Sequence, residues 1–256
     1  MIAQLSGFRL KGVGIGFGAE TVFTVADLQL CGPRTIGIIG PNGSGKSTLL
    51  ATLAGLLEPI SGNVELDGKK LKSRSLLERA RLISWLPQRD EMSQNFTGAD
   101  IVMMGRFPWH RGLPVAGDWD RVEEIMTTLG CTKLRNTSMD RMSGGERQRV
   151  LLARAAVGDH RVMLLDEPEA HIDLPTLSSL RQWIKLAARD RLLIVAMHDL
   201  NMASRWCDQL VLLSPSGVIA SGTPAQVLRP ELLQAAFGSP AQIIAVPDRG
   251  FVVTFN

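Results

Sequence analysis

The stretch Gly40-Pro41-Asn42-Gly43-Ser44-Gly45-Lys46-Ser47-Thr48 constrains this chain more than any other. It fits the pattern G-x-x-x-x-G-K-[ST], with an apolar run of strand length at residues 34–40 before it and a helical pattern at 47–57 after it. A backbone that must wrap a phosphate closely needs glycine where a Cβ would obstruct the approach. The loop N–H groups and the helix N-terminus then form a positive nest worth roughly half an elementary charge. Lys46 is expected to reach the β- and γ-phosphates of a nucleotide, and the Ser47 hydroxyl to coordinate Mg²⁺.

The rest of the chain supplies strands and helices to go with it. Residues 64–66 read as a short strand ending at the turn pair Asp67-Gly68, and residues 83–86 as another, stopped by Pro87. Residues 162–166 and 192–197 are continuous apolar runs, typical of parallel strands covered on both faces. Residues 209–213 and 218–220 flank Ser214-Pro215-Ser216-Gly217 and read as an antiparallel hairpin. Between Gln88 and Gly158 the texture changes. No strand-like run occurs there, while residues 99–104, 121–129 and 146–157 suit helices. Strands alternating with helices argue for an α/β fold with a largely parallel sheet. We read residues 1–256 as one domain, with an α/β core at 1–87 and 159–256 and a helical insertion at 88–158.

Composition sets several classes aside. Lys plus Arg total 28 against 25 Asp plus Glu, and this net charge of +3 is dispersed, so nothing points to a nucleic-acid partner. No window offers the run of about 18 apolar residues that a membrane span needs. Residues 1–10 lack the apolar core and cleavage site of a signal peptide. Cys31, Cys131 and Cys207 are odd in number and far apart, which supports neither a disulfide framework nor a C-x-x-C metal site. The expected setting is a reducing cytoplasm. The chain also contains no tyrosine.

Two further segments carry chemistry. Val162-Met163-Leu164-Leu165-Asp166-Glu167-Pro168 is an apolar strand ending in adjacent carboxylates. Side chains alternate along a strand, so the two are expected to have different tasks. Asp166 suits Mg²⁺ ligation, directly or through water, and Glu167 suits a general base acting on the attacking water. In Met142-Ser143-Gly144-Gly145-Glu146-Arg147-Gln148-Arg149, Ser143 and Glu146 have capping-box spacing. A capped helix explains those two residues but not the paired glycines, which helix formation disfavours. Bare N–H groups at such a helix start make a second phosphate site without a lysine of its own.

With these residues in view, the chain resembles the ATP-binding cassette family, whose motif usually reads L-S-G-G-Q or L-S-G-G-E. Gln88, then Ser143, Gly144, Gly145 and Glu146, then Asp166 and Glu167, then Asp173 and His198 follow the family's order over nearly the whole length. The resemblance implies a P-loop NTPase core with a mostly parallel sheet, an antiparallel β subdomain and a helical insertion. It implies ATP and Mg²⁺ as ligands, and two copies of the chain sandwiching two ATP molecules. Each ATP would lie between one copy's residues 40–48 and the other's Ser143, Gly144, Gly145 and Glu146, with Asp173 beside them. Gln88 would sense Mg²⁺ and the attacking water, and His198 would contact the γ-phosphate. The metal would be shared by Ser47, Gln88 and Asp166.

Several positions depart from the family pattern. Met142 replaces Leu, conserving volume. The loop usually reading S-A-L-D is Ala170-His171-Ile172-Asp173, preceded by Glu169 where Thr is frequent. The tyrosine that stacks on adenine is missing, and Phe17 stands where it is expected, keeping a stacking face.

Met104-Gly105-Arg106-Phe107-Pro108-Trp109-His110 resembles the ATPases of iron-siderophore, haem and cobalamin importers, nearest to hydroxamate-siderophore (ferrichrome-type) importers. The alternative for these aromatics is simple packing of the insertion's helices. The resemblance implies a peripheral ATPase on the cytoplasmic face of the bacterial inner membrane. Two permease subunits would seat near Gln88 and Phe107, and a substrate-binding protein would deliver an iron-siderophore. Import of haem or cobalamin, or a soluble non-transport cassette, are the alternatives. A coiled-coil insertion, a second cassette or basic tails would favour the last, and none occurs in the sequence.

Overall fold

The structure is a computed structural model that describes residues 7–18, 20–32, 34–88, 95–110, 113–170, 172–247 and 250–255. It opens in a long antiparallel hairpin, β1 (Gly7–Phe17) and β2 (Glu20–Cys31). Then come β3 (Arg34–Ile39), the glycine-rich loop and α1 (Lys46–Leu53). β4 (Ser61–Leu66), β5 (Lys69–Lys70), α2 (Leu76–Leu82) and β6 (Ile83–Leu86) follow. The helices α3 (Gly98–Met104), α4 (Ala116–Thr128) and α5 (Gly144–Ala156) precede β7 (Val162–Asp166). The chain continues through α6 (Leu174–Ala187), β8 (Leu192–Ala196), α7 (Leu200–Trp206), β9 (Gln209–Ser214) and β10 (Gly217–Gly222). It closes with α8 (Pro224–Val227), α9 (Pro230–Phe237) and the hairpin β11 (Ala241–Val246) and β12 (Gly250–Phe255).

The central sheet has the order β10-β9-β3-β8-β7-β6. All neighbours are parallel except β10, which turns back on β9. A second sheet, β2-β1-β4-β5, is antiparallel. Alternation along the parallel strands divides their side chains between two cores. Val162 and Leu164 of β7, Ile194 of β8 and Val211 of β9 join the β1–β2 hairpin and Leu49, Leu50 and Leu53 of α1. Met163 and Leu165, Val195, and Leu210 and Leu212 face the opposite way, into a core shared with α3 to α7. Each such Leu or Ile contributes about 1.5–3 kcal/mol on leaving water, which is why continuous apolar runs settle here.

The expected strands at 83–86 and 162–166 form at those limits. The helix after the loop is shorter than 47–57. It ends at Leu53, the Gly55 N–H turns back to the Thr52 carbonyl at 3.0 Å, and the Arg79 guanidinium takes the Gly55 carbonyl at 2.7 Å. Between residues 95 and 158 no strand forms among the described residues, only an isolated bridge between Thr97 and Ser138. The helix expected at 121–129 starts earlier, at Ala116, because the Asp118 carboxylate accepts from the Val115 N–H at 3.1 Å and closes its first turn. His171, one of the departures from the family pattern, lies outside the described residues, as does the segment before Gly7.

Residues 104–110 are largely absorbed in packing. Arg106 pairs with the buried Asp118 at 3.0 Å and with Asp159 at 3.4 Å, and its guanidinium lies 5.1 Å from the Trp109 ring centre. Burial opposes the Asp118 charge, yet the Val115 N–H and Arg106 hold its carboxyl below the usual range. Trp109 meets His160 edge to face at 4.7 Å. Burial and the nearby Arg191 push the His160 imidazole down to about 4, so it packs as a neutral ring. Phe107 alone of the run's Phe and Trp side chains is exposed.

Gly105 locks α3 to α5. Its φ is an ordinary −66°, but a Cβ there would lie 2.1 Å from the Arg154 carbonyl oxygen and 2.6 Å from Val157. Gly105→Ala is therefore expected to destabilise the protein by about 1–3 kcal/mol through overpacking alone. Urea denaturation measures this, and an unchanged midpoint would show that the two helices are free to separate.

Candidate functional site

The parallel register brings strand ends together, and the site is built from the residues just beyond each one. β3 leads into the loop at Gly40, β6 is followed by Gln88, β7 by Glu167 and β8 by His198. Phe17, Asn42, Gly43, Gly45, Lys46, Ser47, Thr48, Gln88, Glu167 and His198 line one cavity of about 480 Å³, closed on one side by Val22 of β2. Thr21-Val22-Phe23-Thr24-Val25 is rich in β-branched residues, a strand signal, but only the fold places Val22 beside the loop. Phe17 is 57% exposed at the mouth, so its ring face is available for stacking.

The loop takes the geometry that phosphate binding needs. Gly45 caps α1 with φ 86°, and a Cβ there would meet the Phe23 ring at 2.5 Å. Lys46 is buried, and its Nζ donates to the carbonyl oxygens of Gly40 at 2.9 Å and Pro41 at 3.0 Å. Burial lowers its pKa, against the Glu167 and Asp166 carboxylates, which favour the charged form. Gly40, Pro41 and Ser44 thus support the cavity from beneath, and the buried Ser44 hydroxyl has no partner.

The two carboxylates divide as alternation suggests, with one addition. Asp166 ends β7 buried, hydrogen-bonded to the Ser47 hydroxyl, with Oδ1 unpartnered. Burial raises its pKa, Ser47 opposes the rise and the neighbouring Glu167 adds to it. Glu167 leaves the strand with φ 50°, a left-handed conformation that costs a non-glycine residue about 1–3 kcal/mol. That turn delivers its carboxylate to the cavity. Gln88 Nε2 donates to Oε2 at 2.7 Å, and His198 Nε2 pairs with Oε1. The donor set fits Mg²⁺: a buried carboxylate oxygen without a partner stands beside the Ser47 hydroxyl, and no three His, Cys, Asp or Glu side chains cluster as a self-sufficient metal site among the described residues.

Ser143, Gly144, Gly145, Glu146 and Asp173 do not line this cavity. The Ser143 hydroxyl accepts from the Glu146 N–H at 3.3 Å and donates to Glu146 Oε2 at 2.8 Å, completing the capping box of α5. The Glu146 carboxyl is held below its usual range by the Ser143 N–H and hydroxyl, which turns it back on the cap. Asp173 caps α6 through the Thr176 N–H at 2.9 Å. Arg149 of α5 donates to Thr176 at 2.9 Å, so the two capped helices are linked.

Comparison with known proteins agrees with this geometry. The family model described as ABC transporter matches residues 24–170. The hemin import ATP-binding protein HmuV of Bordetella avium is 37% identical over 249 residues, covering 93% of this chain and 95% of its own. The cobalamin import ATP-binding protein BtuD of Halobacterium salinarum is 37% identical across 85% of this chain and 55% of its own. An inward-facing metal-chelate type ABC transporter structure superposes with TM-score 0.81 at 26% identity, over 98% of this chain and 97% of that one. A dimeric cassette in a post-hydrolysis state with ADP and Pi superposes with TM-score 0.76 at 25% identity, over 85% of this chain and 98% of that one.

Behind Glu167 stands Glu169, whose Oε2 is buried without a partner. Burial, with help from the Glu167 carboxylate, pushes its carboxyl up to about 7 from the usual 4.5. Between the usual value and about pH 7 the unfolded chain ionises first, so stability present in acid is lost as pH rises to neutrality, by about 3 kcal/mol, and no more is lost above it. Glu169→Gln should therefore raise the melting temperature at pH 8 and leave it nearly unchanged at pH 5. An equal effect at both pH values would count against a buried ionising carboxyl.

Proposed function

The chain belongs to the ABC transporter family and is an ATP-binding cassette ATPase of the importer class, and from that premise we propose that it drives uptake of a metal chelate, haem foremost, into the cell. The end-to-end identity with a hemin import protein carries this reading. The siderophore assignment rests on residues 104–110. Those side chains are taken up by the Arg106–Asp118 pair and the Trp109–His160 contact, which serve the packing of the helices whatever the cargo. Haem, the alternative named with it, has the support of the relatives.

Cassettes of this family act as dimers, and importer ATPases pair with membrane permeases. No helix among the described residues is long and apolar enough to cross a membrane, and in our reading partner permeases form the channel. In our reading two copies of this chain face each other at the cytoplasmic side of the membrane. Ser143, Gly144 and Gly145 of one copy offer the bare N–H groups of α5 to the nucleotide held by residues 40–48 of the other, with Asp173 alongside. That would explain why they stand away from the cavity of their own chain.

Within one copy, Phe17 takes the adenine face, the loop N–H groups and Lys46 take the phosphates, and His198 reaches the terminal phosphoryl group. Ser47, Asp166 and Gln88 would hold Mg²⁺, which when bound neutralises charge on the phosphate oxygens. Glu167 accepts the proton of the attacking water. In this structure its two carboxylate oxygens are held by Gln88 and His198, so the base is restrained until those partners are drawn to the nucleotide. Gln88 also begins the helical subdomain, proposed at 88–158. A change in its partners therefore passes to α3 and to the exposed Phe107, where a permease would dock. ATP shifts the dimer only so far as it binds the closed form better than the open one.

Glu167→Gln is expected to keep ATP affinity, lower steady-state hydrolysis by about a hundredfold or more, and accumulate a closed dimer visible by light scattering. Hydrolysis at the wild-type rate would remove Glu167 from the role of base. Cargo is tested by reconstituting the chain with its permease and binding protein and measuring uptake of haem, ferric hydroxamate and cobalamin. Haem uptake that needs ATP is expected, and uptake of ferric hydroxamate alone would restore the siderophore reading.

A further inference from the structure

A second cavity lies at the other end of the sheet. It is an open concavity of about 590 Å³ between the start of β3, the second half of α6 and the turn from α7 to β9. Four guanidiniums, Arg34, Arg181, Arg189 and Arg205, and the Lys185 ammonium line it, against one carboxylate, Asp208. That excess is larger than the +3 carried by the entire chain. Asp208 is already engaged, since its Oδ2 accepts from the Thr35 N–H at 2.8 Å. None of the five cations makes an ion pair among the described residues. Arg181 instead donates to the Arg205 carbonyl oxygen at 3.2 Å, which ties α6 to the end of α7 and holds one fork at the cavity.

Like charges drawn from separate parts of the chain into one concavity repel each other unless a counter-charge sits among them, and a concave wall concentrates their field. Arginine forks match phosphate oxygens two at a time, and a lysine adds a point charge. One carboxylate ligand would leave most of the excess uncompensated, whereas a chain of phosphoryl groups would not. The volume is that of a small-molecule site. Trp206 on the wall adds a flat apolar surface.

We propose that this cavity binds a small polyphosphate anion, separately from the nucleotide at residues 40–48. The two sites are kept apart by the six residues of β3, about 20 Å of extended chain. A free inorganic polyphosphate and the phosphate chain of a nucleotide share this chemistry, and the Trp206 face distinguishes them.

The test is calorimetric titration of the full chain at physiological salt with inorganic tripolyphosphate and, separately, with GTP. It uses Lys46→Ala, which disables the nucleotide loop, and Lys46→Ala combined with Arg181→Ala and Lys185→Ala. Lys46→Ala is expected to retain one tripolyphosphate site, and the added substitutions to weaken it at least tenfold. Arg181→Ala/Lys185→Ala on the wild-type background should hydrolyse ATP at the wild-type rate, since both side chains are exposed on α6, away from the nucleotide. GTP binding tighter than tripolyphosphate, with the difference abolished by Trp206→Ala, assigns the nucleotide source; equal or weaker binding of GTP assigns the inorganic one. Loss of all binding in Lys46→Ala, or undiminished binding after the α6 substitutions, overturns the proposal.

Discussion

Burial of the parallel strands on both faces governs the rest of the molecule. Because β3, β8, β7 and β6 are adjacent and in register, Ile38 lies opposite Ala196, Ala196 opposite Asp166 and Leu165 opposite Leu86. Their C-terminal ends therefore form one row. Gly40, His198, Glu167 and Gln88 stand just beyond that row, so four segments far apart in the chain become neighbours without any long loop to carry them. A slip of one residue in any strand would exchange its two core faces and turn its terminal functional group away. The packing that stabilises the fold is thus also what positions the chemistry.

Electrostatics at the row's end depends on the same burial. Lys46, Asp166 and Glu167 are all buried, and the Glu167 charge bears on the ionisation of both Lys46 and Asp166. The Lys46 ammonium donates to two loop carbonyls, and the Glu167 carboxylate is held by Gln88 and His198. In the proposed mechanism these groups are already in place for a phosphate chain and an attacking water. Preorganisation of this kind, paid for by packing elsewhere, is where electrostatic catalysis comes from. The left-handed turn at Glu167 is part of that cost, kept because the Glu167 N–H is tied to the Ala196 carbonyl at 3.1 Å.

The core also ties the helical block to the sheet. The helices α3 to α5 do not form a separate core; they share one with the lower face of the sheet, through residues such as Val150, Leu152, Met163 and Val195. The Gly105 contact and the Arg106–Asp118 pair stiffen the block internally. A stiff block packed on the sheet in this way has the property that the proposed lever to a membrane partner requires.

Much of this was legible in the linear sequence because it is local. The loop at residues 40–48 is contiguous, the apolar runs of β7 and β8 are buried on both faces, and the Ser143–Glu146 cap spans one turn. The β1–β2 hairpin was not legible. Four glycines and two register shifts interrupt the alternation of β1, so its burial follows its partners and not its own period. Glu169 was legible as an unusual residue but not as a carboxyl with one oxygen buried and unpartnered. The convergence of Arg34, Arg181, Lys185, Arg189 and Arg205 leaves no trace in a chain whose charges look evenly spread. The sequence by itself determined the nucleotide loop, the acidic strand end and the α/β class, because short-range spacing encodes them. Only the tertiary structure decided which side chains meet across the sheet and what surrounds each charge, because those depend on contacts between separate segments, such as Gln88 with Glu167 and Thr35 with Asp208.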